Sequence, residues 1–390
     1  MTAPIPLPTP SPAPTSRAWA SINLNALTFN LARVRELCPT ANITPVIKSN
    51  GYGHGVAQIA KSLAASSIQF DCFVVATLQE ACALSEQGLG KAIVLLAGFI
   101  DENELRLCLD KKIQPVIHSA YQAELAGKLL SSEYQQCAKK FWIEFNSGMN
   151  RLGQRQAASI ATYKELAKLP NTDLVFMSHL AFADDMSLPA SHDFTHQQIS
   201  RFAQAKSFLL KDFAQVETSF AASAGILTLP ETHHDTVRPG VMLYGSSPLA
   251  RENGLAVGLQ PVMTLSSRLI AINDVKAGET LGYGASYTCP ADTSIGVVSI
   301  GYGDGYPRSA SADTPVIVKT AAGDFRTYVA GRVSMDMITI DLKDSGAQIN
   351  DEVILWGEGL CADDVAKSVG TIAYELFCKV TDRVEFHYID

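Results

Sequence analysis

Between residue 24 and about residue 244, short continuous apolar runs alternate with segments of helical periodicity. Most of these runs are apolar throughout rather than at every second position, which is typical of parallel strands buried on both faces. Strands that alternate with helices in this way predict βα units and a parallel sheet. The predicted strands span residues 43–48, 72–76, 92–97, 113–117, 141–145, 174–179, 216–222 and 237–244.

About eight such units favour a (β/α)8 barrel of the TIM type, which we place at residues 17–250. Two helix starts support the alternation. Thr77 and Ser119 directly follow predicted strands, and each is followed three residues later by Glu80 or Gln122, the spacing of a capping box. A doubly wound open sheet is the alternative, because a strand count does not show whether the sheet closes.

The pattern changes after Arg251, where short strands are broken by turns rich in Gly, Asp and Asn. This predicts a separate, mostly-β domain over residues 251–390. The segment 18–23 is also strand-like and is a candidate to pair with this second domain, which would bring the chain ends together. The predicted strands are 262–272, 295–300, 316–319, 328–331, 337–342 and 353–356, with helices near 362–369 and 372–380.

Length and charge limit the classes of function. A chain of 390 residues suggests two domains. A net charge of −8 argues against nucleic-acid or anionic-membrane binding, and no apolar run is long enough to span a bilayer. The eight scattered cysteines lack a CxxC pair and indicate free thiols in a reducing cytoplasm. Residues 1–16 carry six prolines without a basic start or apolar core, which predicts a flexible tail rather than a secretory signal.

Lys48 stands at the end of the first predicted barrel strand and opens a glycine-rich turn. Barrels keep their chemistry at the carboxyl ends of their strands, where burial lowers the pKa of a lysine and frees its amine to attack an aldehyde. The alternative is a lysine whose stem covers apolar surface while its amine reaches water.

Residues 46–55, VIKSNGYGHG, closely resemble the pyridoxal-phosphate lysine motif of alanine racemases, and further motifs follow in that family's order from Trp19 to about Tyr374. The resemblance implies a barrel followed by a β domain. It also implies a cytoplasmic homodimer with shared active sites. Such an enzyme interconverts L-alanine and D-alanine through a pyridoxal 5'-phosphate aldimine on Lys48, for peptidoglycan or for D-alanine catabolism.

The segment 144–153, EFNSGMNRLG, places Arg151 after a barrel strand, where a guanidinium suits a carboxylate or a phenolate. The resemblance assigns Arg151 to the phenolic oxygen of the cofactor and to the substrate carboxylate. Many relatives carry a carbamylated lysine where this chain has Glu144, so we expect Glu144 to hold Arg151 without carbon dioxide. By resemblance His179 orients other site residues; a satisfied core histidine is the alternative.

The segments SFAASAG (219–225) and VRPGV (237–241) follow the last two barrel strands, where barrels commonly bind phosphate with backbone amides. Arg238 resembles the family residue that faces the pyridine nitrogen and keeps it largely unprotonated, which disfavours transamination. The resemblance assigns the phosphate contacts to two tyrosines, a serine and two backbone amides: Tyr52, Tyr374, Ser223, Gly240 and Val241.

The segment GYGASY (282–287) lies in the second domain and is typical of a glycine-rich hairpin with exposed tyrosines. By resemblance, its Tyr283 is the second catalytic base, delivered to the other subunit. Racemisation needs bases on both faces of a planar carbanion, and Lys48 and Tyr283 could be that pair. The resemblance also implies that the backbone amide of Met335 contacts the substrate carboxylate and that Tyr302 is the gate at the entry to the site.

No metal site is predicted. His192 and His196 have helical i, i+4 spacing, but the Glu of the zinc-protease motif is absent, so both should face solvent. Two other functions stay open. One is a racemase of broader or different specificity, such as for serine, because one methylene shifts selectivity by only about 1–3 kcal/mol. The other is a non-catalytic cofactor-binding protein, which would resemble the barrel alone; the motifs of Tyr283 and Met335 count against it.

Overall fold

The computed structural model describes residues 16–390, so the predicted tail lies, apart from Ser16, outside the described residues. The first strand, β1 (Ala18–Asn23), belongs to a second sheet that is described below. The first sheet consists of eight parallel strands: β2 (Asn42–Ile43), β3 (Cys72–Val75), β4 (Ala92–Leu95), β5 (Ile113–Ile117), β6 (Lys139–Glu144), β7 (Thr172–Met177), β8 (Glu217–Ala222) and β9 (Thr236–Arg238).

This sheet closes on itself. Its strands are neighbours in chain order, and β2 also lies beside β9. Beyond β2, Val46 bridges to Val74 of β3, with the Val74 N–H donating to the Pro45 carbonyl and the Ile47 N–H donating to the Val74 carbonyl, both at 2.9 Å. Because the two edges meet, the sheet is a barrel and the alternative of an open doubly wound sheet is wrong.

Helices connect the barrel strands as predicted, and their starts show why. The Thr77 hydroxyl accepts from the Glu80 N–H, and the Glu80 carboxylate accepts from the Thr77 N–H, so this capping box is confirmed. Only half of the second box forms, because the Gln122 side chain accepts from His118 N–H instead. The helices are α1 (Leu24–Leu37), α2 (Lys48–Tyr52), α3 (Val56–Ala65), α4 (Leu78–Ser85), α5 (Glu102–Asp110), α6 (Ala120–Leu130), α7 (Gln156–Ala167), α8 (Pro189–Leu209) and α9 (Ser223–Thr228).

Two predicted barrel strands extend beyond the ends of the observed strands. The strand predicted over 43–48 ends at Ile43, because Pro45 has no N–H for a ladder, and Lys48 lies in the turn that follows. The strand predicted over 237–244 ends at Arg238, and Val241–Tyr244 form a short 3-10 helix. In both places the apolar residues are buried in a turn, so continuous hydrophobicity does not distinguish them from a strand.

The second domain is built on a mixed sheet, in which β1 pairs antiparallel with β10 (Met263–Val275) and parallel with β18 (Glu385–Ile389). The strand predicted over 328–331 is wrong. The strand lies at Gly323–Tyr328, an edge with few buried positions and therefore a weak hydrophobic pattern. The elements are β10 (Met263–Val275), β11 (Thr280–Leu281), β12 (Tyr287–Thr288), β13 (Thr293–Val298), β14 (Pro315–Thr320), β15 (Gly323–Tyr328), β16 (Ile338–Asp341), β17 (Glu352–Trp356), α10 (Ala362–Ser368), α11 (Ala373–Lys379) and β18 (Glu385–Ile389).

The two domains share one hydrophobic core, and polar contacts reinforce their junction. The Asp363 carboxylate of α10 accepts from the Ser246 hydroxyl and from the N–H groups of Ser247 and Gly254, at 3.2 and 3.0 Å for the two amides. This junction carries α11 to the mouth of the barrel. All eight cysteines are free thiols. Across residues 16–390, no helix is both long and apolar enough to cross a bilayer.

Candidate active site

A cavity of about 400 Å³ opens at the carboxyl ends of the barrel strands. Residues from most of the barrel loops and one residue of α11 share its walls, although they lie far apart along the chain. Ten of the residues singled out in the sequence line it: Lys48, Tyr52, Glu144, Arg151, His179, Ser223, Arg238, Gly240, Val241 and Tyr374.

Lys48 is held by a turn of unusual backbone geometry. Ser49, Asn50 and Tyr52 have φ values of 52°, 55° and 51°, in the left-handed region that non-glycine residues rarely adopt. The Glu80 carboxylate holds this turn, accepting from the Ser49 N–H at 2.6 Å as well as from the Ala76 N–H at 2.9 Å. The sequence revealed Glu80 only as a helix cap; its contact with the lysine turn depends on tertiary structure.

Burial lowers the pKa of Lys48, and the positive charge of Arg151 lowers it further. The nearby carboxylate of Glu80 acts in the opposite direction, but desolvation is the largest effect. A lowered pKa increases the fraction of neutral amine, which is the form that attacks a carbonyl or accepts a proton.

A polar cradle lies at the end of β8 and β9. The Ser223 Oγ accepts from the Gly240 N–H at 2.9 Å and lies 3.4 Å from the Met242 nitrogen. A Cβ built on Gly240 would come within 2.6 Å of the Tyr52 hydroxyl oxygen, so only glycine leaves room between this hydroxyl and the backbone. Hydroxyls and backbone amides together form a site that suits a phosphate.

Two tyrosines beside this cradle, Tyr52 and Tyr374, contact each other and other aromatic rings. The Tyr52 ring stacks on Tyr244, with ring centroids 4.8 Å apart, and lies 5.8 Å from the ring of Tyr374. Burial raises the pKa of Tyr52 and of Tyr374, so both hydroxyls stay protonated and can donate hydrogen bonds to an anion.

Arg238, at the end of β9, is a buried cation in the wall of the cavity. Its guanidinium donates to the Ser219 hydroxyl and to the carbonyls of Ser178 and Phe220, at 2.6 and 3.2 Å for the two carbonyls. Burial lowers the pKa of Arg238 to about 10, which still leaves it charged at neutral pH. A fixed guanidinium suits an uncharged ring nitrogen, because it donates a hydrogen bond and repels an added proton.

His179 is neutral in this surrounding. Desolvation in the cavity wall, together with the cationic charges of Arg238, Arg151 and Lys48, lowers its pKa to about 3. A neutral imidazole can accept one hydrogen bond and donate another, which fits an orienting role better than that of a charged acid.

Gln198 is a site-supporting residue that the sequence did not reveal. Its buried amide donates to the Ser147 hydroxyl and to the His179 carbonyl, both at 3.0 Å, and accepts from the Ala181 N–H at 2.9 Å. One side chain of α8 therefore joins the loop before Arg151 to the loop that carries His179. The only sequence signal was a polar residue on the buried face of an amphipathic helix.

Glu144 lines the same cavity, but its contacts differ from those expected. Among residues 16–390 no hydrogen bond or ion pair joins Glu144 to Arg151. Burial raises the pKa of Glu144, and the largest opposing effect is the charge of Arg238, followed by His118 and then Arg151. Its carboxylate therefore acts on Arg151 through the field in the cavity rather than through direct contact.

Three residues singled out in the second domain lie outside this cavity. Tyr283 is 72% exposed, Met335 53% and Tyr302 39%. Their loops adjoin one another: the Gly303 N–H donates to the Met335 carbonyl at 2.8 Å, and the Arg332 guanidinium lies beside Gly284. The structure thus gathers these residues on one exposed surface and does not bring them to Lys48 of the same chain.

The chain is similar to one family over nearly its whole length. The family model for the N-terminal domain of alanine racemases matches residues 22–248, and that for the C-terminal domain matches residues 262–388. The alanine racemase of Vibrio atlanticus is 41% identical over 375 residues, which cover 95% of this chain and 99% of that protein. The alanine racemase of Photobacterium profundum is 42% identical over 377 residues, with coverage of 95% and 99%.

Solved structures agree with this similarity. The biosynthetic alanine racemase from Pseudomonas aeruginosa has a TM-score of 0.87 and 38% identity, covering 96% of this chain and 100% of that one. The alanine racemase from Bartonella henselae, solved with covalently bound pyridoxal phosphate, has a TM-score of 0.82 and 26% identity, with coverage of 96% and 100%.

Proposed function

This chain belongs to the alanine racemase family, and we propose that its barrel cavity binds pyridoxal 5'-phosphate and interconverts L-alanine and D-alanine there. One observation carries the proposal. A lysine of lowered pKa, a cradle of hydroxyls and amides, and a buried arginine line a single cavity. The match of the C-terminal family model to residues 262–388 favours an enzyme over a cofactor-binding barrel alone.

The residues present fit the cofactor. Lys48 would hold its aldehyde carbon and Arg238 would donate to its ring nitrogen. Its phosphate would lie among donors that carry no negative charge: Tyr52, Ser223, Gly240, Val241 and Tyr374. When bound, pyridoxal phosphate withdraws electrons from the α-carbon of an attached amino acid and so acidifies the proton there. The charge of Arg151 at the cavity wall would bind the substrate carboxylate.

Two residues would move protons. For L-alanine, Tyr283 Oη takes the α-proton on one face, and Lys48 Nζ returns a proton to the opposite face. For D-alanine the roles are exchanged. Two separate bases are needed, since one base that removed and returned the proton on the same face would restore the starting enantiomer. His179, which is neutral, would orient the residues around it.

Tyr283 has to come from a second copy of the chain. It is exposed and absent from the cavity walls of its own chain, as are Met335 and Tyr302. We propose a homodimer in which each subunit offers this surface to the cavity of the other. Met335 would then give its backbone N–H to the substrate carboxylate, while Tyr302 would narrow the approach.

We propose a cytoplasmic location, which the eight free cysteines support, since thiols stay reduced there. The D-alanine produced would serve peptidoglycan or be consumed by catabolism.

Reduction of the protein with borohydride in the presence of pyridoxal phosphate, followed by peptide mapping, tests the cavity assignment. We expect the label on Lys48 and racemisation of L-alanine by the unreduced enzyme. Parallel assays with L-serine test the alternative of different specificity. A label on another lysine, or turnover of serine without alanine, would contradict the proposal.

A further inference from the structure

The second domain contains a charged cluster that the roles above do not use. It consists of Arg17, Asp304, Asp336 and Arg383, and we call it the Arg–Asp cluster. The Asp304 carboxylate is completely buried; its Oδ1 lies 2.6 Å from Arg17 Nη2 and 3.2 Å from Arg383 Nε. Its Oδ2 accepts from the Gly301 N–H at 2.9 Å. A buried carboxylate is tolerated only with such partners, because desolvation opposes its charge.

The cluster joins the two loops that carry Tyr302 and Met335. Asp304 ends the turn that begins at Tyr302, and the Tyr302 N–H donates to the Ser334 carbonyl at 3.1 Å. On the other loop, Arg383 Nη2 donates to Asp336 Oδ1 at 2.6 Å, and Arg17 Nη1 donates to the Asp336 carbonyl at 3.2 Å.

The two arginines come from opposite ends of the chain. Arg17 precedes β1 and Arg383 precedes β18, and these strands pair with one another in parallel. The cluster thus fixes both loops to the starts of two paired strands rather than to each other alone. The loops could otherwise move, since Met335 and Tyr302 are exposed.

We propose that Asp304, held between Arg17 and Arg383, is a positioning residue for the active site of the partner subunit, where it sets the places of Tyr302 and Met335. This rests on the proposed shared site. Asp304 would contribute nothing to the cavity of its own chain, which lies in the barrel. A residue that only stabilises the fold would affect both sites equally, so the two roles are separable.

Hybrid dimers provide the test. When a Lys48→Ala chain pairs with a Tyr283→Phe chain, the one complete site uses the second domain of the Lys48→Ala chain. Asp304→Asn added to the Lys48→Ala chain should lower kcat/KM of the hybrid by about ten- to a hundredfold, mostly through KM for alanine, because small displacements of binding groups are costly. The same substitution added to the Tyr283→Phe chain should leave kcat/KM of the hybrid within about twofold. The second domain of that chain serves the site without Lys48, which is already inactive and distant from the complete site.

A readout without the cofactor comes from hydrogen exchange. In the apoprotein, Asp304→Asn should speed exchange of the Tyr302 and Gly303 amides, which donate to the Met335 loop. Asp324→Asn is the matched control, because Asp324 forms an exposed pair with Lys319 at 2.8 Å in the same domain. If Asp304→Asn does not fold, Arg17→Gln removes one arm of the cluster and Arg17→Lys should restore part of the effect through its charge.

The outcomes separate the two proposals. No activity in the parent Lys48→Ala and Tyr283→Phe hybrid, with subunit exchange demonstrated, would overturn the shared site and the positioning role together. An active parent hybrid that loses activity equally with Asp304→Asn on either chain would overturn the positioning role alone. The positioning role would also be overturned if both Asp304→Asn and Arg17→Gln left KM and amide exchange unchanged.

Discussion

The barrel and the second domain differ in how far their functional residues are exposed. Arg238 of the barrel is buried and donates three hydrogen bonds, and His179 lies in the cavity wall near three cationic groups, so that their pKa values depart from the ordinary range. Tyr283 and Met335 of the second domain are exposed and lie outside that cavity. A site can therefore be divided: one half is organised within the chain, and the other half is a surface that requires another molecule.

The exposed half has a composition that fits this interpretation. Large apolar or aromatic side chains next to a functional loop are costly to leave in water, and clustered exposure of this kind marks interaction surfaces. Met337 is 45% exposed beside Met335 at 53%, and Tyr283 stands out further at 72%. The barrel half can be tested in one chain, whereas the second half can be tested only in pairs of chains.

The largest expected effect comes from the barrel half. Lys48→Ala should abolish the absorbance of lysine-bound cofactor and lower turnover by about 10⁴-fold or more, because both the attachment and one proton transfer are lost. Lys61→Ala, at an exposed position of α3, is the matched control and should behave as wild type. Substantial activity in purified Lys48→Ala would show that another residue holds the cofactor.

The next effect tests directly whether the second domain serves the cavity of another chain. Tyr283→Phe should lower turnover by about 10²- to 10⁴-fold, as expected for loss of a general acid or base. Random exchange with Lys48→Ala should restore about one quarter of wild-type activity, since half of the dimers are hybrids with one complete site of two. Tyr328→Phe, an exposed tyrosine of β15, should remain active. Hybrids without recovered activity would mean that each site is completed within one chain.

The phosphate cradle should respond to a single methyl group. Gly240→Ala would place a Cβ 2.6 Å from the Tyr52 hydroxyl oxygen, so the tyrosine must shift and the cofactor should bind about tenfold or more weakly. Titration of the apoprotein with pyridoxal phosphate measures this. Gly127→Ala in α6, where no atom beyond the adjoining residues and the helix backbone lies within 4 Å of the added Cβ, should leave affinity unchanged. Equal affinity in both variants would show that the phosphate lies elsewhere.

The smallest effect concerns Glu144. Burial raises its pKa in the folded chain above the unfolded value, so its contribution to stability is greatest at low pH and declines as the pH rises through the folded pKa. The Glu144→Gln apoprotein should therefore have a melting temperature no lower than that of wild type at neutral pH, and this temperature should depend less on pH.

The same substitution should reduce turnover modestly, because the cavity loses the negative charge opposite Arg238 and Arg151. Wild-type turnover should not change in bicarbonate-free buffer. Activity that depends on bicarbonate, or a Glu144→Gln enzyme as active as wild type, would show that Glu144 has no such role in the site.

Much of the fold could be predicted from local patterns. The alternation of apolar runs and helices led to the barrel, and β1 and β5 have the bounds predicted for them. The predictions failed where apolar residues lie in turns, after Pro45 and after Arg238, and at the exposed edge strand β15. In these places burial and strand structure are no longer coupled, so hydrophobicity gives the wrong bounds.

The sequence by itself determined where most of the barrel residues of the cavity would meet, because they lie in short motifs after strands and parallel strands deliver their ends to one place. Tyr374 lies on α11 of the second domain, and only the family resemblance assigned it to the cavity. Tertiary structure alone decided the contacts between them. Glu80 supports the lysine turn, Gln198 joins two loops, and Arg17 meets Asp304. These contacts join residues distant along the chain, and no local periodicity encodes which side chains packing will bring within hydrogen-bond distance.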